Sequence, residues 1–196
     1  PVKTEPYQIR PATGEDWPLL NDLYAVHNQG SLLSRVRAEA TWRYELTIPH
    51  PDSSYARQFL VVETAASDTD SSNSQPVAYL EYKQWGPVYA VREFGVVPGH
   101  SWRDIGLYVT RHFKKMADVL YEKEEKRLLG VSFLLGRKHP LYDAFGRQLE
   151  PQRRPYAWYI RVPDLPAFLR HITPALEQRL AESVLAGHSG TCRVNL

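Results

Sequence analysis

The sequence predicts an α/β fold, a central mixed β-sheet with helices on both faces, on the strength of three observations. Short apolar runs of strand composition alternate with segments of helical period along the chain. ARQFLVVETA and PVAYLEYKQWG flank the turn-forming ASDTDSSNSQ, so they read as an antiparallel hairpin. The strand-like PVYAVREFGVV passes through a polar turn straight into a helical segment. The implied order is β α α β β β α β α β.

Each element has its own warrant. YQIR reads as a first strand, and in PATGEDWPLLNDLYAVHNQ either Thr13 or Asp16 caps a helix with Leu19, Leu20, Leu23 and Val26 on one face. A second helix is expected over SLLSRVRAEATWRYEL, with Leu33, Val36, Ala40 and Tyr44 inward and a stop near Pro49. The hairpin follows, then the strand before the turn. Val109, Phe113, Met116, Ala117 and Leu120 repeat at helical spacing. The helix from Leu107 to Tyr121 is therefore a crossover between neighbouring, largely parallel strands. LLGVSFLLG supplies a buried strand, HPLYDAFGRQLE a short helix and RPYAWYIRV a final strand.

The character changes at VPDLPAFL. Asp164 caps a helix with Pro166 in its first turn, and Leu165, Phe168, Leu169, Ile172, Leu176 and Leu180 form an apolar stripe. After GHSG comes the strand-like TCRVNL. One helix and one strand cannot close a core, so residues 163–196 read as the incomplete start of a second domain after a main domain over 1–162.

Composition narrows the function classes. The chain has 196 residues and a formal net charge of +2, which gives no electrostatic case for nucleic acid or an anionic membrane. A single cysteine excludes an internal disulfide and favours a reducing, cytoplasmic setting. The seven histidines are dispersed, without metal-ligand spacing. No apolar run approaches the roughly 20 residues of a membrane span.

The chemistry concentrates in FGVVPGHSWRDIG, residues 94–106. A helix N-terminus presents unpaired N–H groups and the positive end of the macrodipole, so phosphate oxygens bind there if the backbone can come close. Glycine permits that approach; Asp104 adds a Cβ and a like charge, which Arg103 and His100 offset in part. The alternative is that Ser101 or Asp104 only caps the helix.

This stretch resembles the strand-loop-helix of the GNAT family of acyl-CoA-dependent N-acetyltransferases, whose loop has the pattern [Q/R]-x-x-G-x-[G/A]. Pro98 takes the place of the family's proline, Ser101 that of the first Gln or Arg, Asp104 that of the central Gly, and Gly106 that of the last small residue. One of the three signature positions matches. IRPATGED is similar to the family's opening strand and helix, HPLYDAFG to its late tyrosine segment, and the element order agrees over roughly residues 7–162. The tail is similar to the opening of a sterol-carrier-protein-like domain.

The resemblance implies acetyl-CoA as co-substrate and a small-molecule or peptide amine as acceptor. Phe94, Gly95 and Val96 would line the thioester, and Ser101, Trp102, Arg103, Asp104, Ile105, Gly106 and Leu107 would hold the pyrophosphate. Tyr142 falls where the family's general acid sits, the alternative being a packed aromatic like Phe145. Glu93 is the candidate base, directly or through water. The other class of function is a non-catalytic GNAT-like scaffold or sensing module with a degenerate CoA site. Neither a metal, nor nucleic acid, nor membrane insertion is expected; a homo-oligomer or a contact through the C-terminal helix is.

Overall fold

The computed structural model describes residues 6–29, 34–47, 53, 56–65, 74–124, 128–136, 138–150 and 161–191. They fall into two compact units, Pro1–Gln29 with Arg35–Pro151, and Gly30–Ser34 with Gln152–Leu196.

The first unit is built on five strands, β1 (Tyr7–Pro11), β2 (Gln58–Thr64), β3 (Pro76–Trp85), β4 (Val88–Val96) and β5 (Gly130–Phe133), in the spatial order β1-β2-β3-β4-β5. β1 to β4 are joined by antiparallel ladders, whereas β4 and β5 run parallel. A parallel neighbour needs a crossover, and the helix α3 (Trp102–Glu124) provides it. The expected hairpin is the β2–β3 pair. Of the strands flanking the expected crossover, β4 and β5 are indeed parallel, but the rest of the described sheet is antiparallel.

In β2 the run Phe59–Glu63 is buried without alternation, because both faces of the sheet are covered. Leu60, Val62, Leu80, Phe94 and Val96 pack with Ile105, Val109 and Phe113 of α3 and with Leu141 and Phe145 of α4 (Pro140–Phe145). On the opposite face Phe59, Val61 and Tyr79 pack with Leu20 and Leu23 of α1 (Trp17–Asn28) and Trp42 of α2 (Glu39–Thr47). Each fully buried large side chain of this kind contributes about 1.5–3 kcal/mol.

A 3-10 turn over Gly14–Asp16 leads into α1. Asp16 accepts from the Thr13 N–H at 2.7 Å, and Arg10 joins the Asp16 carboxylate, at 2.7 Å, to that of Glu63 on β2, also at 2.7 Å. The Arg10 hydrogen bond holds the Asp16 carboxyl below its usual range despite partial burial.

Several expectations need correction. Val26 lies outside the buried face of α1 at 49% exposure. The second helix begins at Glu39, and its buried positions are Trp42 and Glu45, not Val36 and Tyr44, which are exposed. Burial there follows the charge network described below rather than the apolar spacing. Leu33, the strand expected over 154–162 up to Tyr159–Ile160, and Cys192–Leu196 of the terminal strand lie outside the described residues.

In the second unit α5 (Leu165–Ala181) starts where expected: Asp164 accepts from the Ala167 N–H at 2.9 Å and Pro166 occupies the first turn. Pro174 sits inside this helix without ending it. None of the residues of α5 is buried.

Candidate active site

The site grows from an irregularity in β4. Tyr82 of β3 opposes Val91 while its neighbour Glu81 opposes Glu93, so Arg92 is an extra residue on β4. A bulge of this kind bends its strand and re-aims the residues after it. The ladder with β5 runs from Val88↔Gly130 to Val91↔Phe133, and the Leu134 N–H adds one bond to the Val91 carbonyl at 2.8 Å. Beyond that point β4 continues to Val96 with no described strand on this side, and the two strands part.

His139 enters the gap. It caps α4, where its Nδ1 accepts from the Leu141 N–H at 3.2 Å and Pro140 follows in the first turn. Its Nε2 stands 3.0 Å from the Phe94 carbonyl. The ring is 2% exposed, and burial presses its pKa down to about 4 against the opposing pull of that carbonyl. Around it lie the rings of His27 at 4.4 Å, Trp102 at 5.0 Å and Tyr142 at 6.1 Å between centroids.

The Tyr142 hydroxyl accepts from the Leu135 N–H at 3.1 Å and donates to the Phe133 carbonyl at 2.9 Å. It fastens α4 to the end of β5, right where the strands separate.

Glu93 faces the other side of the sheet. Arg37 grips its carboxylate with both guanidinium nitrogens, one at 2.8 Å, while the Tyr79 hydroxyl approaches at 3.4 Å and Arg57 at 3.5 Å. The Arg37 side chain is 1% exposed and lies over the rings of Tyr24, at 4.7 Å, and Trp42, at 4.4 Å. Burial opposes its charge, but Glu93 and Glu45 more than compensate and keep it protonated. Burial first, and the Glu93 charge second, push the Tyr79 phenol well up.

The turn after β4 carries Gly99 at φ +93° and leads to α3. Ser101 caps that helix: its hydroxyl accepts from the Asp104 N–H at 3.2 Å, and its carbonyl takes the Ile105 N–H at 3.1 Å. Ser101, Arg103 and Asp104 are exposed, Trp102 and Leu107 half-buried, and Ile105 and Gly106 buried. Arg103 spends a guanidinium N–H on the Ala144 carbonyl at the end of α4, at 2.9 Å. The two glycines are explained by close approach. A Cβ on Gly106 would meet Leu141 at 2.7 Å and Phe145 at 2.8 Å, and one on Gly95 would meet the Tyr79 ring at 2.6 Å.

The fold therefore brings Phe94, Gly95 and Val96, the first turn of α3 and Tyr142 to one end of the sheet, around the opening between β4 and β5. Glu93 joins from the α1 side. Sequence reasoning missed His27, His139 and Arg37. For His139 a local signal existed, since a polar residue directly before Pro140 is a helix-start pattern; nothing local ties it to His27, far away in the chain. Among the described residues no cluster could hold a metal ion, and no helix is long and apolar enough to cross a membrane.

The solved structure of a possible acetyltransferase from Clostridium difficile 630 superposes with a TM-score of 0.52 at 13% identity, over 81% of this chain and 100% of that one. The architecture is the GNAT-like acyltransferase fold. Ribosomal-protein-alanine N-acetyltransferase from Brucella melitensis biovar Abortus 2308 follows with a TM-score of 0.48 at 14% identity, over 80% of this chain and 99% of that one. No family model and no curated protein matches the sequence. His139 and Tyr142 are the side chains this chain puts where β4 and β5 part.

Proposed function

We propose that the protein transfers an acetyl group from acetyl-CoA to the amine of a small molecule or peptide. The observation that carries this reading is the parting of β4 from β5 beside the N-terminus of α3, where His139 and Tyr142, groups able to move protons, are placed in a GNAT-like fold.

The residues present can be tested against the cofactor. At the phosphate end they fit: Pro98, Gly99, His100 and Ser101 are exposed beside the first turn of a long helix, and a Cβ on Gly99 would meet nothing within 4 Å. At the acyl end the Phe94 carbonyl is already engaged by His139 and Gly95 is paired with Tyr79 of β3, which leaves the main chain of Val96 for the thioester arm. Residues 101–107 would hold the pyrophosphate and the end of β4 at Val96 the arm. When bound, acetyl-CoA supplies the activated acyl carbon and a thiol leaving group.

The chain supplies the proton chemistry. The Tyr142 hydroxyl would give its proton to the departing sulfur, exchanging its bond to the Phe133 carbonyl to do so. Glu93, held by Arg37, would draw a cationic amine towards the bulge of β4 through its negative charge and take up the amine proton directly or through water. The buried cluster around it fixes that charge without solvent reorganisation.

The tail is a separate proposal. The helix α5, with its stripe of apolar residues and no buried position, would be the opening helix of a sterol-carrier-like domain.

Calorimetric titration with acetyl-CoA, followed by thiol release in the presence of an amine panel, tests the central reading. Heat of binding and amine-dependent thiol release are expected. Absence of both heat and thermal shift at millimolar acetyl-CoA would leave the non-catalytic module.

A further inference from the structure

Two histidines meet at the opening between β4 and β5, and their positions differ in a way that matters. His139 has both ring nitrogens spent, one on the Leu141 N–H and one on the Phe94 carbonyl, and is almost fully buried. His27 stands against it with ring centroids 4.4 Å apart, on the last turn of α1, half-buried. Among the described residues no hydrogen bond ties up the His27 ring.

We propose that His27 is the group that takes the proton from the acceptor amine, a role that rests on the acyl transfer proposed above. The nitrogen of a neutral amine bonds to the acyl carbon as the carbon–sulfur bond breaks; the surplus N–H proton passes to the free nitrogen of His27, and sulfur leaves with the proton of Tyr142. One proton is gained and one given, so only exchange with solvent is needed to reset both groups.

The surroundings set the protonation state for that task. Burial lowers the His27 pKa and the Glu93 charge pulls it back up, so the ring is neutral near pH 7 yet keeps a driving force for uptake. The charged and titratable groups around it are Glu93 on β4, with Arg37 and Arg57 on its carboxylate; Tyr79 on β3; His139 before α4; and Tyr24 on its own helix. The carbonyl end of α1 adds a further preference for positive charge. Glu93, committed to Arg37, then acts on the amine through His27 in place of taking the proton itself.

The test pairs kinetics with a titration that needs no turnover. In the wild type, the midpoint of the His27 imidazole, followed by NMR in the protein without ligand, should coincide with the acid limb of kcat/KM for a responsive amine, expressed per concentration of the neutral amine. His27→Gln should lower that kcat/KM by roughly 10²- to 10⁴-fold, remove the acid limb and leave acetyl-CoA affinity within about twofold. If the wild type neither binds acetyl-CoA nor acylates any amine, the function itself falls and the role with it. If the wild type is active but its acid limb does not follow the His27 midpoint, or if a folded His27→Gln keeps wild-type kcat/KM, the function stands and the assignment of His27 is wrong.

Discussion

The ring of His139 and the main-chain carbonyl of Phe94 are hydrogen-bonded at 3.0 Å across the place where β4 and β5 part. Because the Leu141 N–H donates into Nδ1, Nε2 carries the ring hydrogen and is the donor to that carbonyl. A neutral imidazole therefore does what a strand partner would do, satisfying a carbonyl that the bulge has turned away from the ladder.

That bond makes the fold acid-sensitive in a defined window. In the unfolded chain the imidazole titrates near 6.5, whereas in the fold it titrates at about 4, so the native state favours the neutral form. Its contribution is fully present above the unfolded value and is lost as pH falls from about 6.5 towards 4, by up to roughly 3 kcal/mol. Denaturant melts at pH 7.5 and 4.5 should show this loss in the wild type and a much flatter response in His139→Gln. Burial raises the Glu81 pKa, so that group titrates in the opposite sense, but it does so in both proteins and cancels in the comparison. Equal slopes would mean that the ring is protonated in the fold.

What the sequence made legible was whatever periodicity and local caps encode. Val109 and Phe113 face the core as their spacing requires, Asp164 caps α5, and the two strands beside the serine-rich tract pair as a hairpin. The misreading of α2 has a physical cause: Val36 is apolar but 93% exposed, while Arg37 beside it is buried, because two aromatic rings and two carboxylates repay the cost of its desolvation. Partners from α1, α2 and β4 cannot be read from a local window. The same holds for His27 and His139, and for the bulge at Arg92, which exists only in the pairing with β3.

Gly106 separates a packing role from a phosphate role. An added Cβ would press on the side chains of Leu141 and Phe145, both in the core and with little freedom to yield. Gly106→Ala is expected to lower stability by about 1–3 kcal/mol, measured by chemical denaturation, even though alanine is the better helix former. A stabilised variant would show that α4 can shift freely on α3.

Asp104 carries the electrostatic argument at the proposed phosphate site. Its backbone N–H is held by Ser101 and its side chain is exposed. Asp104→Asn keeps the backbone and removes only the charge. If pyrophosphate binds at this turn, acetyl-CoA affinity should rise roughly fivefold at low salt, the equivalent of about 1 kcal/mol for two unit charges about 4 Å apart in water, and the gain should shrink as salt is added. Unchanged or weaker binding would place the phosphates elsewhere.

Tyr142 is the residue where structure and chemistry compete most directly. Its hydroxyl bridges the Leu135 N–H and the Phe133 carbonyl, so Tyr142→Phe leaves a donor and an acceptor unpaired at the end of β5, where Leu135 is 8% exposed. A stability loss of roughly 1–3 kcal/mol is expected from this alone. An acid role predicts something further: kcat falls roughly 10²- to 10⁴-fold while acetyl-CoA affinity is nearly intact, because the proton is needed at the departing sulfur more than in the bound ground state. The basic limb of the kcat profile should also disappear, since a phenylalanine has no proton to lose. A purely structural hydroxyl would give the opposite division, with affinity and melting temperature reduced together and the pH profile unchanged in shape. Stopped assays well below the variant's melting temperature, read beside calorimetric affinity, separate the two. Wild-type turnover in a folded Tyr142→Phe protein would mean that water or another side chain protonates the sulfur, and the hydroxyl would then be only the strut that holds α4 to β5.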